Sequence, residues 1–143
     1  MKLSDVNLLL YAYDASSVHH ERAKLWLEEH LSGVEAFGFA WATLLAFVRL
    51  VTSSRVFESP LSVRESLDIV ERWLATPCAT VLHPGPRHAV VLRQLLEPVG
   101  AAGNLTTDAH LAALALEHEA ELCSADADFS RFPGLRWTNP LVA

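Results

Sequence analysis

Short apolar runs alternate with amphipathic segments along this chain. The apolar runs occupy positions 1–4, 34–39, 79–82 and 121–124, with a last one around Trp137. Segments with helical periodicity separate most of these runs from one another. The alternation predicts an α/β fold with a parallel sheet covered by helices, because parallel strands need a crossover connection that is usually a helix.

Six helices are expected, and local signals define some of their ends. Ser62 and Glu65 form a capping box at the start of one helix. Thr106 or Thr107 is expected to cap the last one. The helix over 41–52 is apolar nearly all round, which predicts that it is buried. The expected helices cover residues 5–13, 19–31, 41–52, 63–75, 87–96 and about 107–118.

Length and composition favour one domain that lacks a membrane anchor. The chain has 143 residues, enough to bury a sizeable core, and a single domain over 1–143 is expected. Hydrophobic residues make up 51% of it, yet no apolar stretch approaches the ~18 residues of a membrane span. Cys78 and Cys123 stand in separate apolar settings, which predicts buried thiols in the cytoplasm.

The charge balance restricts the ways in which nucleic acid can be bound. A net charge of −6 argues against broad, nonspecific electrostatic binding. A nuclease remains possible, because a metal ion held by several acids reverses the sign of the charge at its site. Four arginines are candidates for phosphate contacts or are simple surface groups: Arg49, Arg55, Arg131 and Arg136. Arg49 is the one charge in its helix, so it should reach the rim of a site or pair with an acid.

Four aspartates stand where strands are expected to end or a helix to begin. Asp5 follows the first strand, Asp126 and Asp128 follow the fourth, and Asp108 lies in the first turn of the preceding helix. Ligands of open parallel sheets bind outside the carboxyl ends of strands, which favours one common site. Two ionised carboxylates about 4 Å apart repel by roughly 4 kcal/mol at an effective dielectric near 20. A cation or bound protons must therefore accompany such a cluster, and oxygen ligands favour Mg²⁺ or Mn²⁺.

Each aspartate also has an ordinary local explanation. Asp108 suits the first turn of a helix, Asp126 and Asp128 suit turns, and Asp5 suits a helix cap. Asp5 argues most against this explanation, because a carboxylate between a strand and an apolar helix is costly unless something binds it.

Other enzyme classes lack their characteristic patterns. Zinc is disfavoured because the sequence has no H-E-x-x-H or paired-cysteine spacing, and His110 and His118 do not share a helical face. A G-x-S-x-G or P-loop pattern is absent from the sequence as well. Phosphotransferases of the haloacid-dehalogenase type have a D-x-D-x-T motif after the first strand. This chain has Asp5-Val6-Asn7 there and lacks the second aspartate of the motif.

Three segments resemble the PIN-domain toxins of VapBC toxin–antitoxin systems. They are DVNLLLYAYD with the following HHERA, FVRLVTSSRVF, and NLTTDAHLAALALEHEAELCSADADFSRFPGLRWTNPL, which is the most specific. The resemblance implies a three-layer α/β/α domain with a short parallel sheet. It further implies an endoribonuclease dependent on Mg²⁺, or on Mn²⁺, that cleaves RNA by metal-activated water. Such toxins are usually homodimers silenced by a cognate VapB-type antitoxin, with surfaces here expected around residues 41–57.

The resemblance assigns roles by position. It implies that Asp5, Asp108 and Asp126 are catalytic metal ligands and that Asp128 ligates directly or through water. Asn7 matches the asparagine of the opening D-x-N and is expected to support the site.

The chain departs from the resemblance at Ala46, since similar sequences often have the glutamate of EFLRVVT there. Three outcomes are open. The four aspartates suffice when waters complete the shell, which we favour; Glu117 or Glu119 substitutes; or the catalytic step is weak. The last would make the protein a PIN-fold module that binds RNA or an antitoxin with little turnover.

Overall fold

The computed structural model describes residues 1–100, 103 and 105–142. Its strands are β1 (Lys2–Ser4), β2 (Phe37–Phe39), β3 (Ala79–Val81), β4 (Glu121–Cys123) and β5 (Trp137–Thr138). They form one parallel sheet in the order β3-β2-β1-β4-β5. β2 and β3 extend the sheet on one side of β1, and the chain then crosses back to add β4 and β5 on the other side. The carboxyl ends of β1 and β4 are therefore neighbours.

Six helices connect these strands. They are α1 (Val6–Tyr13), α2 (His20–Leu31), α3 (Trp41–Val51), α4 (Val63–Leu74), α5 (His88–Leu96) and α6 (Leu105–Glu117). Short 3₁₀ helices follow α5 at Glu97–Val99 and β4 at Ala127–Arg131. Within the described ranges, every helix is too short or too polar to cross a membrane.

The helices cover both faces of the sheet. Side chains of a strand alternate between faces, and β1 and β4 direct Leu3 and Leu122 into a core shared with α5 and α6. β2 directs Phe37 and Phe39 to the opposite face, where they pack with α1, α2, α3 and α4. This arrangement confirms the predicted three-layer α/β/α fold with a short parallel sheet.

Two helix starts were predicted from local signals, with different results. The capping box is confirmed, because Ser62 Oγ accepts from Glu65 N and Glu65 Oε1 accepts from Ser62 N, each at 3.1 Å. Thr106 and Thr107 are not caps, since α6 already begins at Leu105 and both lie in its first turn. The residue before Leu105 lies outside the described residues. Asp108 nevertheless keeps its predicted place in the first turn.

The prediction that α3 is buried is only half correct. Its inner side is buried through Thr43, Leu44, Phe47 and Val51. Trp41 and Leu45 on its outer side are 45% and 62% exposed. An apolar helix surface that its own chain leaves uncovered is typical of a surface that contacts another molecule.

Candidate metal and catalytic site

Asp5 lies at the junction of β1 and α1 and is 7% exposed. Its backbone N–H donates to Cys123 O (2.9 Å), which continues the pairing of β1 with β4. Its carboxylate caps α1, because Oδ1 accepts from Val6 N at 2.7 Å. A buried carboxylate needs such donors, since an unpaired charge in the interior is costly.

Ser124 connects Asp5 to the loop after β4. Its hydroxyl donates to Asp5 Oδ2 at 2.7 Å and accepts from Asp126 N at 3.0 Å. Sequence reasoning missed this fully buried serine, because a serine after a strand has no distinctive local signal. The strand register contains the information: Ser4 pairs with Cys123, so Ser124 stands level with Asp5.

Asn7 lies in the first turn of α1 and reaches both sides of this junction. Its Nδ2 lies 3.0 Å from Ser124 Oγ and 3.3 Å from Asp5 Oδ2. Its Oδ1 accepts from Ala125 N at 3.3 Å. The side chain therefore holds the start of α1 against the loop after β4, which is an arrangement suited to supporting a site.

Asp126 and Asp128 occupy the loop after β4. Asp126 caps the 3₁₀ helix, and its Oδ1 accepts from Asp128 N at 2.9 Å. Asp126 is half-buried, whereas Asp128 is exposed. Of the two, Asp126 is the one that the Ser124 hydroxyl ties to Asp5.

Asp108 is the group that shows how closely the aspartates are gathered. Its half-buried position raises the pKa of its carboxyl group, and repulsion from Asp5, Asp126 and Asp128 raises that pKa further, to about 6. Such repulsion weakens with distance, so the four carboxylates share one region at the carboxyl ends of β1 and β4. The hydrogen bonds of Ser124 join Asp5 to the loop that carries Asp126, and the use of all four aspartates as one site stays a prediction.

Burial also raises the pKa of Asp5, and the charge of Asp126 adds to this effect. The hydrogen bonds from Ser124 and from the Val6 backbone act in the opposite direction, because they stabilise the ionised form. Ser124 is therefore a determinant of the charge on Asp5 as well as of its orientation.

The donor atoms of the cluster suit a hard divalent cation. All four groups offer carboxylate oxygens, and Asp108 and Asp128 accept no hydrogen bond through their carboxylates from any residue that the structure describes. The aspartate side chains do not converge on a common point in the metal-free structure. Among the described residues, no group of three His, Cys, Asp or Glu side chains has the geometry to hold a metal ion. Carboxylates that repel one another need a cation between them to come closer.

The proposed substitutes for the missing acid lie elsewhere. Glu117 is nine residues beyond Asp108 in α6, which places it roughly 14 Å along the helix, and its Oε2 lies 2.8 Å from His88 Nδ1. Glu119 is exposed just beyond the same end of α6. The hypothesis that either replaces an acid at position 46 is therefore wrong. Ala46 itself is half-buried in α3.

Arg49 is exposed on α3 and pairs with no acid among residues 1–100, 103 and 105–142. The pairing that its sequence context suggested is therefore not observed. Its approach to the rim of the site stays a prediction.

Comparison with known proteins identifies the class to which this chain belongs. Residues 2–135 match the family model of the PIN domain. Ribonuclease VapC37 of Mycobacterium tuberculosis is 49% identical over 140 residues, covering 98% of this chain and 97% of the relative. Ribonuclease VapC33 of the same species is 40% identical over 141 residues, or 99% of each chain.

Solved structures agree on the fold. VapBC2 from Rickettsia felis, bound to a DNA fragment from its promoter, aligns with a TM-score of 0.68 at 20% identity over 96% of this chain and 97% of that one. VapBC-1 from nontypeable Haemophilus influenzae aligns with a TM-score of 0.67 at 17% identity, covering 97% of each. The chain belongs to the PIN-domain family, and within it to the VapC ribonucleases.

Proposed function

We propose that this protein is the toxin of a type II toxin–antitoxin system and acts as a Mg²⁺-dependent endoribonuclease, with Mn²⁺ as an alternative ion. The observation that carries the proposal is the junction at the carboxyl ends of β1 and β4, where Ser124 joins Asp5 to the loop that carries Asp126. Burial raises the pKa of Asp108, and the charges of Asp5, Asp126 and Asp128 raise it further, which supports the same location. The names of the VapC relatives support the same activity.

The four aspartates Asp5, Asp108, Asp126 and Asp128 would hold the ion, and the surroundings of Asp5 and Asp108 differ. Asp5 is the rigid member, because Val6 N and Ser124 Oγ fix both of its oxygens. Burial and the neighbouring carboxylates raise the pKa of Asp108 to about 6, and a cation held there would favour its ionised form. When bound, a divalent ion lowers the pKa of a coordinated water and stabilises charge on a phosphodiester.

A cleavage assay tests the proposal. Purified protein is expected to cut single-stranded RNA with Mg²⁺ or Mn²⁺ and to stop when a chelator is added. Metal affinity should fall as the pH drops through about 6, because protons then compete for Asp108. Intact RNA at high enzyme concentration would contradict the proposal, and an affinity unchanged between pH 7.5 and pH 5.5 would contradict an all-carboxylate site.

The second candidate is a PIN-fold module that binds RNA or an antitoxin with little turnover, which Ala46 favours. We expect the wild type to cleave and Ala46→Glu to change the rate by less than about tenfold, because waters complete a shell of four aspartates. Leu45→Glu is the matched control, since it adds the same charge on the exposed side of α3. A wild type that binds RNA without cutting it, and a gain of activity confined to Ala46→Glu, would support the module.

Ser124→Ala tests the support of Asp5. We expect cleavage and metal affinity to fall by about 10- to 100-fold, as for other groups that orient a metal ligand. The pKa of Asp5 should rise further, because its ionised form loses a donor. Ser130→Ala is the control, since Ser130 lies in the same segment and its hydroxyl donates to Ala127 O, with no hydrogen bond to an aspartate among the described residues. Equal activity of the two variants would remove Ser124 from the site.

The similarity to VapC proteins also supports a proposal about binding partners. We propose a VapB-type antitoxin and a homodimer, and the exposed side of α3 with Trp41 and Leu45 offers an apolar surface for one of them. The solved neighbours are described as VapBC assemblies. Cytoplasmic activity is supported by Cys78 and Cys123, which are both free thiols.

A further inference from the structure

The helices α1 and α3 begin side by side at the edge of the sheet where Asp5 lies. Leu3 pairs with Gly38 in the parallel register of β1 and β2. Two residues further along each strand, Asp5 and Ala40 stand level with each other, with backbones roughly 5 Å apart. Asp5 precedes α1 and Ala40 precedes α3. The amino-terminal end of α3 therefore lies beside the buried carboxylate of Asp5.

The two helix starts differ in how their first N–H groups are satisfied. In α1, the carboxylate of Asp5 accepts from Val6 N. In α3, the capping position is held by Ala40, whose side chain cannot accept a hydrogen bond. Trp41 N and Ala42 N donate to no acceptor among the described residues. Because the first N–H groups of a helix have no partner within it, this end of α3 has two donors left for another molecule.

Thr43 provides a further donor at the same end of α3. It lies in the first turn and is 2% exposed, and its Oγ1 has no hydrogen-bond partner in the described part of the chain. A helical threonine can donate to the carbonyl four residues earlier, but here Phe39 O accepts from Leu82 N instead. The Cα–Cβ bonds of a helix tilt towards its amino-terminal end. The Thr43 hydroxyl is therefore directed towards the two free N–H groups.

The charges around this helix end favour an anion. The helix dipole places partial positive charge there. No acid of α3 offsets it, since residues 41–46 are uncharged and the first charged side chain is that of Arg49. The carboxylate of Asp5 would repel an anion, so binding requires a cation at the aspartates to reverse the local charge.

We propose that the amino-terminal end of α3 binds a phosphate group of the RNA backbone through Trp41 N and Ala42 N, beside the aspartates. This inference rests on the proposed ribonuclease function. Helix amino-terminal ends bind phosphate because their N–H groups and the helix dipole act together. Thr43 supports the site from below, since its hydroxyl is free to direct its hydrogen towards the anion. Ala46 favours this use of α3, because a carboxylate at that position would repel the phosphate.

Trp41→Pro compared with Trp41→Ala tests the N–H groups. Proline lacks the N–H, suits the first position of a helix and needs an extended residue before it, and Ala40 is extended with φ −106° and ψ 139°. Both variants lose the indole, so the difference between them reports the N–H alone. We expect Trp41→Pro to bind a short single-stranded RNA about tenfold more weakly than Trp41→Ala does. Binding is measured with Mg²⁺ in an Asp108→Asn background, and circular dichroism checks that both variants fold.

Thr43→Val tests the buried hydroxyl, since valine keeps the shape of the side chain. The melting temperature should stay the same or rise, because the lost hydroxyl has no partner in the protein. RNA binding should nevertheless weaken by about threefold. Thr52→Val at the other end of α3 is the control, since it loses a hydrogen bond to Val48 O. This variant should melt at a lower temperature and keep its affinity for RNA.

The outcomes separate this phosphate site from the nuclease activity. Protein that binds RNA without cutting it, with Trp41→Pro still the weaker binder, would support the phosphate site and contradict the nuclease. Protein that cuts RNA, with equal KM values for Trp41→Pro and Trp41→Ala, would overturn the phosphate site alone. Unchanged RNA affinity in Thr43→Val would remove the hydroxyl from the site.

Discussion

Asp108→Asn is expected to abolish RNA cleavage while making the metal-free protein more stable. Cleavage should fall by more than about 100-fold, since even groups that only support a metal ligand contribute 10- to 100-fold. Stability should rise because the asparagine removes a carboxylate that burial and three other aspartates oppose. A gain of about 1 kcal/mol at pH 7.5 is reasonable once solvent screening of a half-exposed group is taken into account.

The pH dependence of this gain has a defined sign. A carboxyl group whose pKa is raised from 3.8 to about 6 destabilises the folded state above pH 6 and has no such effect below about pH 4. The stability advantage of Asp108→Asn should therefore disappear as the pH falls from 6 to 4. Saturating Mg²⁺ should reverse the order of stability, because only the wild type gains from binding the ion.

Urea unfolding at several pH values, with and without Mg²⁺, measures these effects. Asp68→Asn on the exposed side of α4 is the control and should change neither stability nor cleavage. An Asp108→Asn protein that is less stable than the wild type at pH 7.5 without metal would contradict the picture of mutually repelling carboxylates.

His88→Leu is expected to lower the free energy of unfolding by about 3 kcal/mol. The change removes the partner of Glu117 Oε2 at 2.8 Å and leaves the carboxylate with Gly85 N at 3.4 Å. Because Glu117 is only 10% exposed, water cannot easily replace the lost donor. Chemical denaturation at neutral pH measures the loss.

The double variant His88→Leu/Glu117→Leu is the control for the cause. Replacing both partners by apolar side chains removes the unpaired charge, so it should recover most of the lost stability. If the double variant is as unstable as His88→Leu, the loss comes from packing between α5 and α6 instead of from the buried carboxylate.

The sequence predicted the elements of the fold because their signals are local. Alternating apolar runs located the five strands, and Ser62 with Glu65 marked the start of α4. The start of α6 was placed too late, because Thr106 and Thr107 are good caps that the chain does not use. The exposed side of α3 was also missed, since an apolar helix does not reveal which of its sides the domain covers.

For the site, the sequence and the family resemblance predicted the four aspartates. They did not predict which residues surround those aspartates. Asp5 and Ser124 are 119 residues apart, and they meet only because β4 pairs with β1. The location of Glu117 likewise depends on how α5 packs on α6, so its use as a substitute acid could be rejected only in three dimensions.

By itself, then, the sequence determined an α/β fold and the identity of four acids at strand and helix ends, because periodicity and residue type act over a few neighbouring positions. The tertiary structure alone decided that burial, together with repulsion from the other three acids, raises the pKa of Asp108 to about 6. It also decided that His88 lies between Glu117 and His110. The physical reason is that strand order and helix packing bring together residues far apart in the chain, and charges and hydrogen bonds depend on the distances that result.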